Sequence, residues 1–344
     1  MRNKGSKGVL IIAPIIIDAN SFGGEGQKLY EALKNEGYTT YKKSGHRNKL
    51  LRFVDTLWFL IFNNRKYKTV IVMIFGGQSF IMESLAIIAA KVLNKKIIGV
   101  IHGGAFHEFY ANNKTWCKFI LGLSGQVYTP AKFLKQHFEK EGFNFGYLPN
   151  FVHLDEFPLK KEKQTHTAKL LWVRSLHKVY QPELAIKAVG VLKNRFPEIS
   201  LTIIGADKGE LENCRKIVKQ LHLETRINLL GFVPNNQLIK YYHNHDIFIN
   251  TTLYESFGVS LMEAASAGMP IISTSVGEIP FLWENGNNIV LIDENNENAL
   301  AEKIEKLLTD NNYKNMIADN GNKLAKKHEW LEIKKNWFRI LGEA

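Results

Sequence analysis

The sequence predicts an α/β protein built from two doubly wound domains, on three observations. Short apolar runs alternate with amphipathic stretches of helical spacing along most of the chain, the pattern of parallel strands covered by helices on both faces. The alternation stops over residues 151–168, FVHLDEFPLKKEKQTHTA, and then restarts. At 344 residues the chain is longer than the roughly 250–300 residues beyond which single cores split.

In the first half VLIIAPIII reads as a buried first strand. A secretory signal fits it poorly, because the apolar run holds Pro14, ends at Asp18 and lacks a small-residue cleavage site. Residues 25–36 have helical spacing, TVIVMIF at 69–75 is a strand, and 79–92 is helix-like. KIIGVIH at 96–102 and GQVYTP follow as strands, then a short helix from Lys132 to Lys140, and FGYLPN at 145–150 closes the series. The polar, aperiodic 151–168 is the linker candidate. Beyond it come KLLWVRS, SLTIIG, RINLLGF, DIFINT, PIISTS and NIVLI as strands. Helical patterns over PELAIKAVGVLKNRF, 209–221, from about Gly258, 296–309 and 311–327 lie among or after them. The domains expected are 1–165 and 166–328, with a last segment, about 329–344, packing back onto the first. Ligands of such sheets bind outside the carboxyl ends of the strands.

Composition narrows the class. Hydrophobic residues make up 45% and charged residues 23%, ordinary for a folded protein. No apolar run reaches the roughly 20 residues that span a bilayer. Cys117 and Cys214 match no metal spacing and argue for a reducing compartment. The net charge of +12 is one-sided: residues 1–165 hold 24 Lys and Arg against 12 Asp and Glu, and the remainder balances. Nucleic acid, acidic substrates and anionic membrane all attract such a half. No nucleic-acid-binding module with base-stacking aromatics is present, so no nucleic-acid partner is expected. GGEG lacks the third glycine of a dinucleotide fingerprint, which leaves an NAD reading without support.

The strongest local signal is YESFGVSLMEAASAGMPI at 254–271. DIFINT should be a strand and Thr251 to Phe257 its exit loop. Gly258 lets backbone approach a ligand, and Gly268 with Pro270 ends the helix that follows. The first N–H groups of that helix have no partners of their own and, with the helix dipole, form an anion site. Glu255 before the helix and Glu263 in its second turn are wrong for phosphate but right for hydroxyl groups of a sugar or ribose. Spacing alone equally allows an ordinary helix-start acid at Glu255 and a solvated Glu263.

The stretch Glu255-Ser-Phe-Gly-Val-Ser-Leu-Met-Glu263, followed by AASAGMPI, resembles the E-x7-E signature of glycosyltransferase family 4. Further matches run along the chain. SFGGEGQKLYEALKNEGY resembles the family's glycine-rich acceptor-side loop and helix, and VIHGG its strand-end histidine. VYTPAKFL and YLPNFVHLDEF resemble the approach to the interdomain linker. LLWVRSLHK resembles the basic strand end of the second domain, and GFVPNNQLIKYYHNHDIFINT the stretch before the signature. The resemblance implies two facing Rossmann-like domains with a cleft between them (the GT-B fold), a nucleotide-diphosphate-sugar donor, retention of anomeric configuration and no required metal.

It also implies roles. Arg174 and Lys178 bind the donor diphosphate and stabilise charge on the departing nucleotide, which fixed cations do in a transition state. Glu263 accepts from the ribose. Glu255, with the backbone around Ser256, Phe257, Gly258 and Val259, holds the donor sugar. Gly23 and Gly24 let the first domain approach the donor phosphate or acceptor. His102 hydrogen-bonds a sugar hydroxyl, although a lone histidine at a strand end is more often a satisfied loop residue. Attack on the front face of the sugar, with the donor phosphate helping to take the acceptor proton, is the implied route. Two departures stand out. Only three residues separate Arg174 from Lys178, where the family has R-x4-K followed by glycine, and Val179 and Tyr180 stand where K-G is expected. TSVGEIP departs from the usual double-glycine loop. No D-x-D occurs, which fits cationic side chains in place of a metal. His243 and His245 have no third ligand in register and read as surface or loop residues.

Residues 47–68, RNKLLRFVDTLWFLIFNNRKYK, combine basic ends with an apolar middle. They fit either a core-facing helix with basic flanks or a membrane-interface helix meeting anionic lipid. Together with the one-sided charge they favour a lipid-linked or glycan acceptor, as in bacterial surface polysaccharide or lipopolysaccharide assembly, and a cytoplasmic protein peripheral to the membrane. UDP- and GDP-sugars are the donors expected. The rival readings are a nucleotide-sugar epimerase or hydrolase of the same architecture and a noncatalytic nucleotide-sugar binder.

Overall fold

A computed structural model describes residues 8–14, 17–18, 21–22, 24–44, 46, 48–103, 106–160, 168–293 and 296–342. The chain divides into two units, one of residues 1–150 with 335–344 and one of 151–334.

The first unit contains β1 (Gly8–Ile12), a short antiparallel pair β2 (Ile17–Asp18) and β3 (Ser21–Phe22), then β4 (Thr40–Lys43), β5 (Tyr67–Ile74), β6 (Lys96–Ile101), β7 (Gln126–Thr129) and β8 (Gly146–Tyr147). Its main sheet has the order β4-β1-β5-β6-β7-β8, with every neighbouring pair parallel. The five residues of β1 are all buried, as a strand covered on both faces must be. The order reverses direction between β1 and β5, so their carboxyl ends frame a crevice. β4 has no counterpart in the apolar pattern. It is a four-residue edge strand, TYKK, and its lysines keep the edge from pairing with another chain. Helices Phe106–Asn112 and Lys114–Leu123 also lie in a stretch to which no element was assigned from the sequence. The end of the chain returns to this unit: Phe338 packs against Tyr38 with ring centroids 5.7 Å apart, and the Lys96 ammonium donates to the Ile340 carbonyl at 2.5 Å.

The second unit contains β9 (Lys169–Val173), β10 (Ser200–Ile204), β11 (Ile227–Gly231), β12 (Ile247–Asn250), β13 (Ile271–Thr274) and β14 (Val290–Ile292). They form a wholly parallel sheet in the order β11-β10-β9-β12-β13-β14. Counted within the unit this is the dinucleotide-binding order 3-2-1-4-5-6. Successive strand residues face opposite ways, and the two cores follow that period. Leu170 and Trp172 of β9 join one core with helices Pro182–Leu192 and Glu297–Thr309. Leu171 joins the other with helices Asn235–Asn244 and Val259–Ser266. Residues 151–160 belong to this unit, anchored by Val152 N–H to the His328 carbonyl at 2.9 Å and Lys160 N–H to the Ala267 carbonyl at 3.2 Å. His245 departs from the surface reading. It is buried and bridges the Tyr241 carbonyl at 2.7 Å and the Thr202 hydroxyl at 2.9 Å, so it is a satisfied core histidine.

Candidate functional site

The strand order of the second unit reverses between β9 and β12, and the polar side chains gather at the carboxyl ends of these two strands. Trp172 of β9 donates its indole N–H to the Thr251 hydroxyl at 3.0 Å. That hydroxyl lies 2.7 Å from the Tyr180 carbonyl and 2.8 Å from that of Gln181, where it can donate. Leu253 N–H donates to the Val179 carbonyl at 2.8 Å. The turn after β9 and the exit loop of β12 are thus pinned to one another, and this fixes the residues they carry.

Arg174 follows β9 directly. Its guanidinium forms an ion pair with the Glu255 carboxylate and lies over the Tyr180 ring, 4.8 Å from the centroid. Burial presses its pKa down, opposed by the nearby Tyr180 and Glu263. A guanidinium stays charged near neutral pH all the same. Gly205, just after β10, makes room for the Arg174 backbone: a Cβ there would lie 1.6 Å from the Arg174 carbonyl oxygen. Tyr180, one of the two residues that break the expected lysine–glycine pattern, is the platform under the guanidinium. Lys178 opens the short turn Lys178–Tyr180, and its side chain is exposed on that turn.

Glu255 is buried, and its Oε1 accepts from the N–H groups of Ser256 at 3.1 Å and Phe257 at 3.4 Å. Its own backbone is gripped from the β13 side. Glu278 N–H donates to the Glu255 carbonyl at 2.9 Å, and a Cβ on Gly277 would lie 2.0 Å from that oxygen. TSVGEIP therefore closes on Glu255, and only glycine fits at 277, where φ is +56°. The Phe257 ring is buried against His328, so its side chain anchors the loop in the core. Gly258 precedes the helix at φ +84°.

Helix Val259–Ser266 aims its amino end at this loop. Its residues from Ser260 to Ser266 are all buried, which holds the helix in place. Gly268 at φ +83° ends it, with Met269 N–H reaching the Ala264 carbonyl at 3.0 Å and the Asn322 amide donating to the Ser266 carbonyl at 2.8 Å. Glu263 is buried in the second turn, and the Tyr242 hydroxyl donates to it at 3.1 Å. Burial, then the Glu263 charge, raise the Tyr242 pKa well above its ordinary value, so that proton stays on the phenol. The structure brings Arg174, Glu255, Ser256, Gly258, Val259 and Glu263 together. It adds Tyr180, Tyr242, Trp172, Thr251 and Gly277, to which the sequence reading gave no role. Tyr242 carried one signal, as an aromatic in the stretch preceding the signature.

In the first unit His102 follows β6. Its N–H donates to the Ile74 carbonyl at 2.8 Å and its ring stacks on Phe75, with centroids 5.8 Å apart. Burial lowers its pKa to about 4, partly opposed by Glu25, so the imidazole is neutral at pH 7. Among the described residues its Nε2 has no hydrogen-bond partner. Gly103 beside it must be glycine, since a Cβ would lie 2.3 Å from the Phe75 carbonyl oxygen. Gly24 opens helix Gly24–Asn35 at φ +60° and Gly23 lies outside the described residues.

Comparison with known proteins places this arrangement. Residues 155–324 match the family model of glycosyl transferases group 1. The D-inositol 3-phosphate glycosyltransferase of Corynebacterium glutamicum (strain R) is 29% identical over 184 residues, which cover 52% of this chain and 44% of that protein. A glycosyltransferase of Methanocaldococcus jannaschii is 26% identical over 160 residues, 45% of this chain and 41% of its own. The chain therefore spans less than half the length of these curated relatives. Among solved structures, sucrose-phosphate synthase of Thermosynechococcus elongatus superposes with a TM-score of 0.78 at 16% identity, covering 97% of this chain and 98% of its own. Anabaena HepE in complex with UDP and glucose gives 0.78 at 14% identity, covering 98% and 100%. These likenesses show the fold, two Rossmann-like domains of the GT-B type. Residues 155–324, which hold Arg174, Glu255 and Glu263, are thus the part of the chain that matches the glycosyl transferases group 1 family.

Proposed function

We propose that this protein is a retaining, metal-independent glycosyltransferase that moves a sugar from a nucleotide-diphosphate sugar onto an acceptor. The observation that carries the reading is the Arg174–Glu255 pair set against the amino end of helix Val259–Ser266, with Glu263 one turn inside. A cation and unpaired N–H groups suit a diphosphate, and two buried carboxylates beside them suit hydroxyls. HepE, a structural neighbour, was solved with UDP and glucose, which supports a nucleotide-sugar donor, a UDP- or GDP-sugar in this reading.

In this reading Glu263, oriented by Tyr242, accepts from the ribose, and Glu255 with the Gly258–Val259 backbone holds the sugar. Arg174 and Lys178 face the diphosphate. The bond between the anomeric carbon and the phosphate oxygen breaks, its electron pair stays on the diphosphate, and these cations stabilise that charge. The acceptor oxygen forms the new bond on the same face and its proton passes to the departing phosphate. His102, neutral and with Nε2 available among the described residues, hydrogen-bonds a sugar hydroxyl. Gly23 and Gly24 admit the donor phosphate or acceptor, and the first domain binds the acceptor. That acceptor is lipid-linked or glycan, of the kind used in bacterial surface polysaccharide or lipopolysaccharide assembly, at the cytoplasmic membrane face.

The test is a mass balance on isotopically labelled UDP-glucose incubated with and without membrane extract. The proposal expects nucleotide release that depends on the extract, with the label recovered in a larger product. Nucleotide release at equal rate without extract would identify a hydrolase, and an altered sugar still joined to nucleotide would identify an epimerase.

A further inference from the structure

Helix Lys49–Phe62 carries two apolar faces, and only one is used by the fold. Leu60 is buried in the core of the first unit, and Leu57 and Phe59 pack against that core. The opposite side presents Leu50, Leu51, Val54, Trp58, Ile61 and Phe62, each between 47% and 71% exposed. Positions 50, 54, 58 and 61 recur at helical spacing and make one continuous stripe. Trp58 and Phe62 stack on one another at the surface, with centroids 5.5 Å apart. Scattered exposed apolar residues need no explanation, but a contiguous aromatic and aliphatic face marks an interaction surface.

The surroundings say what covers it. Arg65 and Lys66 in the turn directly after the helix and Lys68 at the start of β5 are exposed. The one acid of the helix, Asp55, is tied to Lys43 at 2.8 Å, which removes its negative field from the stripe. Residues 1–150 hold 21 Lys and Arg against 9 Asp and Glu, the whole net excess of the chain. A symmetric pairing of two copies through this stripe would bring those cations together, whereas an anionic bilayer attracts them. Fourteen helical residues span about 21 Å, too short to cross the hydrocarbon core but well suited to lying along its boundary.

We infer that helix Lys49–Phe62 docks the protein on an anionic lipid surface, its Leu50-to-Phe62 stripe in the acyl boundary and its flanking cations on the headgroups. The inference deepens the proposed function by naming where a lipid-linked acceptor is met, and rests on that reading only for the acceptor.

The test is co-sedimentation of the full chain with vesicles of phosphatidylcholine, alone or mixed with phosphatidylglycerol. Binding is expected to the mixed vesicles at low salt, to weaken as salt rises, and to fall roughly tenfold or more in the double variant Trp58→Glu, Phe62→Glu. A brominated lipid is expected to quench part of the tryptophan fluorescence, and that part is lost in Trp58→Phe. Both positions are exposed, so melting temperature and stabilisation by UDP-glucose should be unchanged in the double variant, which separates failure of docking from failure of the donor site. Equal binding of wild type and double variant, or no binding to anionic vesicles at low salt, would overturn the inference. So would sedimentation velocity showing a dimer that the double variant dissolves.

Discussion

Arg174 is a half-buried cation whose partner, the buried Glu255, is itself a proposed ligand of the sugar. Losing either member leaves the other charge without its partner, a change that typically costs several kcal/mol, so the two substitutions report on stability as well as chemistry. Arg174→Lys is the more informative variant, because it keeps the charge and loses the planar group that lies over Tyr180. It should retain most of the stability and still lose turnover by about 10²–10³-fold, the range found when one transition-state donor is removed. Steady-state kcat beside a melting curve checks this, and equal loss in both would make Arg174 structural. Arg174, Glu255 and Glu263 stood out in the sequence through the resemblance to the strand end and E-x7-E signature of the family, since spacing alone equally allowed solvated acids, and the structure places the three side chains near one another. The parts of Tyr180 and Tyr242 did not stand out, because the tight turn that lays Tyr180 against Arg174 and the packing that brings Tyr242 to Glu263 leave no repeating pattern in the sequence. His245 does lie in a loop, and it is buried there rather than at the surface because its partner Thr202 comes from β10, 43 residues earlier.

Among the elements, strands with long apolar runs and helices with regular apolar spacing could be placed from the sequence, and those stabilised by position could not. β4 is recognisable only once β1 exists to pair with it. Helix Lys49–Phe62 left its orientation open, since both sides are apolar and periodicity cannot choose the buried one. The neighbouring helix Phe80–Val92 hides a further feature. Glu83 in its first turn is buried beside a cavity of about 240 Å³ that Arg52, Phe53 and Met82 also line. Burial raises its pKa from 4.5 to about 7, against the opposing help of Ser79 and the Phe75 and Gly76 backbone. Between these values the unfolded chain releases the proton and the folded chain keeps it, so stability falls as pH rises through that window. Relative to Glu83→Gln, the wild type should lose about 3 kcal/mol between pH 4.5 and 7 and no more above it. Urea unfolding of both proteins across that range measures the difference, and parallel curves would contradict a buried, proton-retaining Glu83.

At the scale of the whole molecule the two units differ in charge and in surface. The second unit is electrically balanced and carries the family match, with its polar groups at the strand-order reversal between β9 and β12. The first unit carries the excess positive charge and the exposed apolar stripe. Alternation of strands and helices made both sheets legible, and chain length made their number legible. The β4-β1-β5 order of the first sheet, against β10-β9-β12 in the second, is a matter of which side of the first strand the chain returns to, and no local pattern records that choice. Binding of a nucleotide-diphosphate sugar by the proposed Arg174–Glu255–Glu263 cluster is tested by thermal stabilisation with UDP-, GDP- and ADP-sugars in the wild type and in Glu263→Ala. A ligand that binds only the folded chain raises its apparent stability by mass action. A rise with one nucleotide class is expected in the wild type, and a much smaller rise in the variant. No rise with any donor at millimolar concentration, or an equal rise in both proteins, would contradict it.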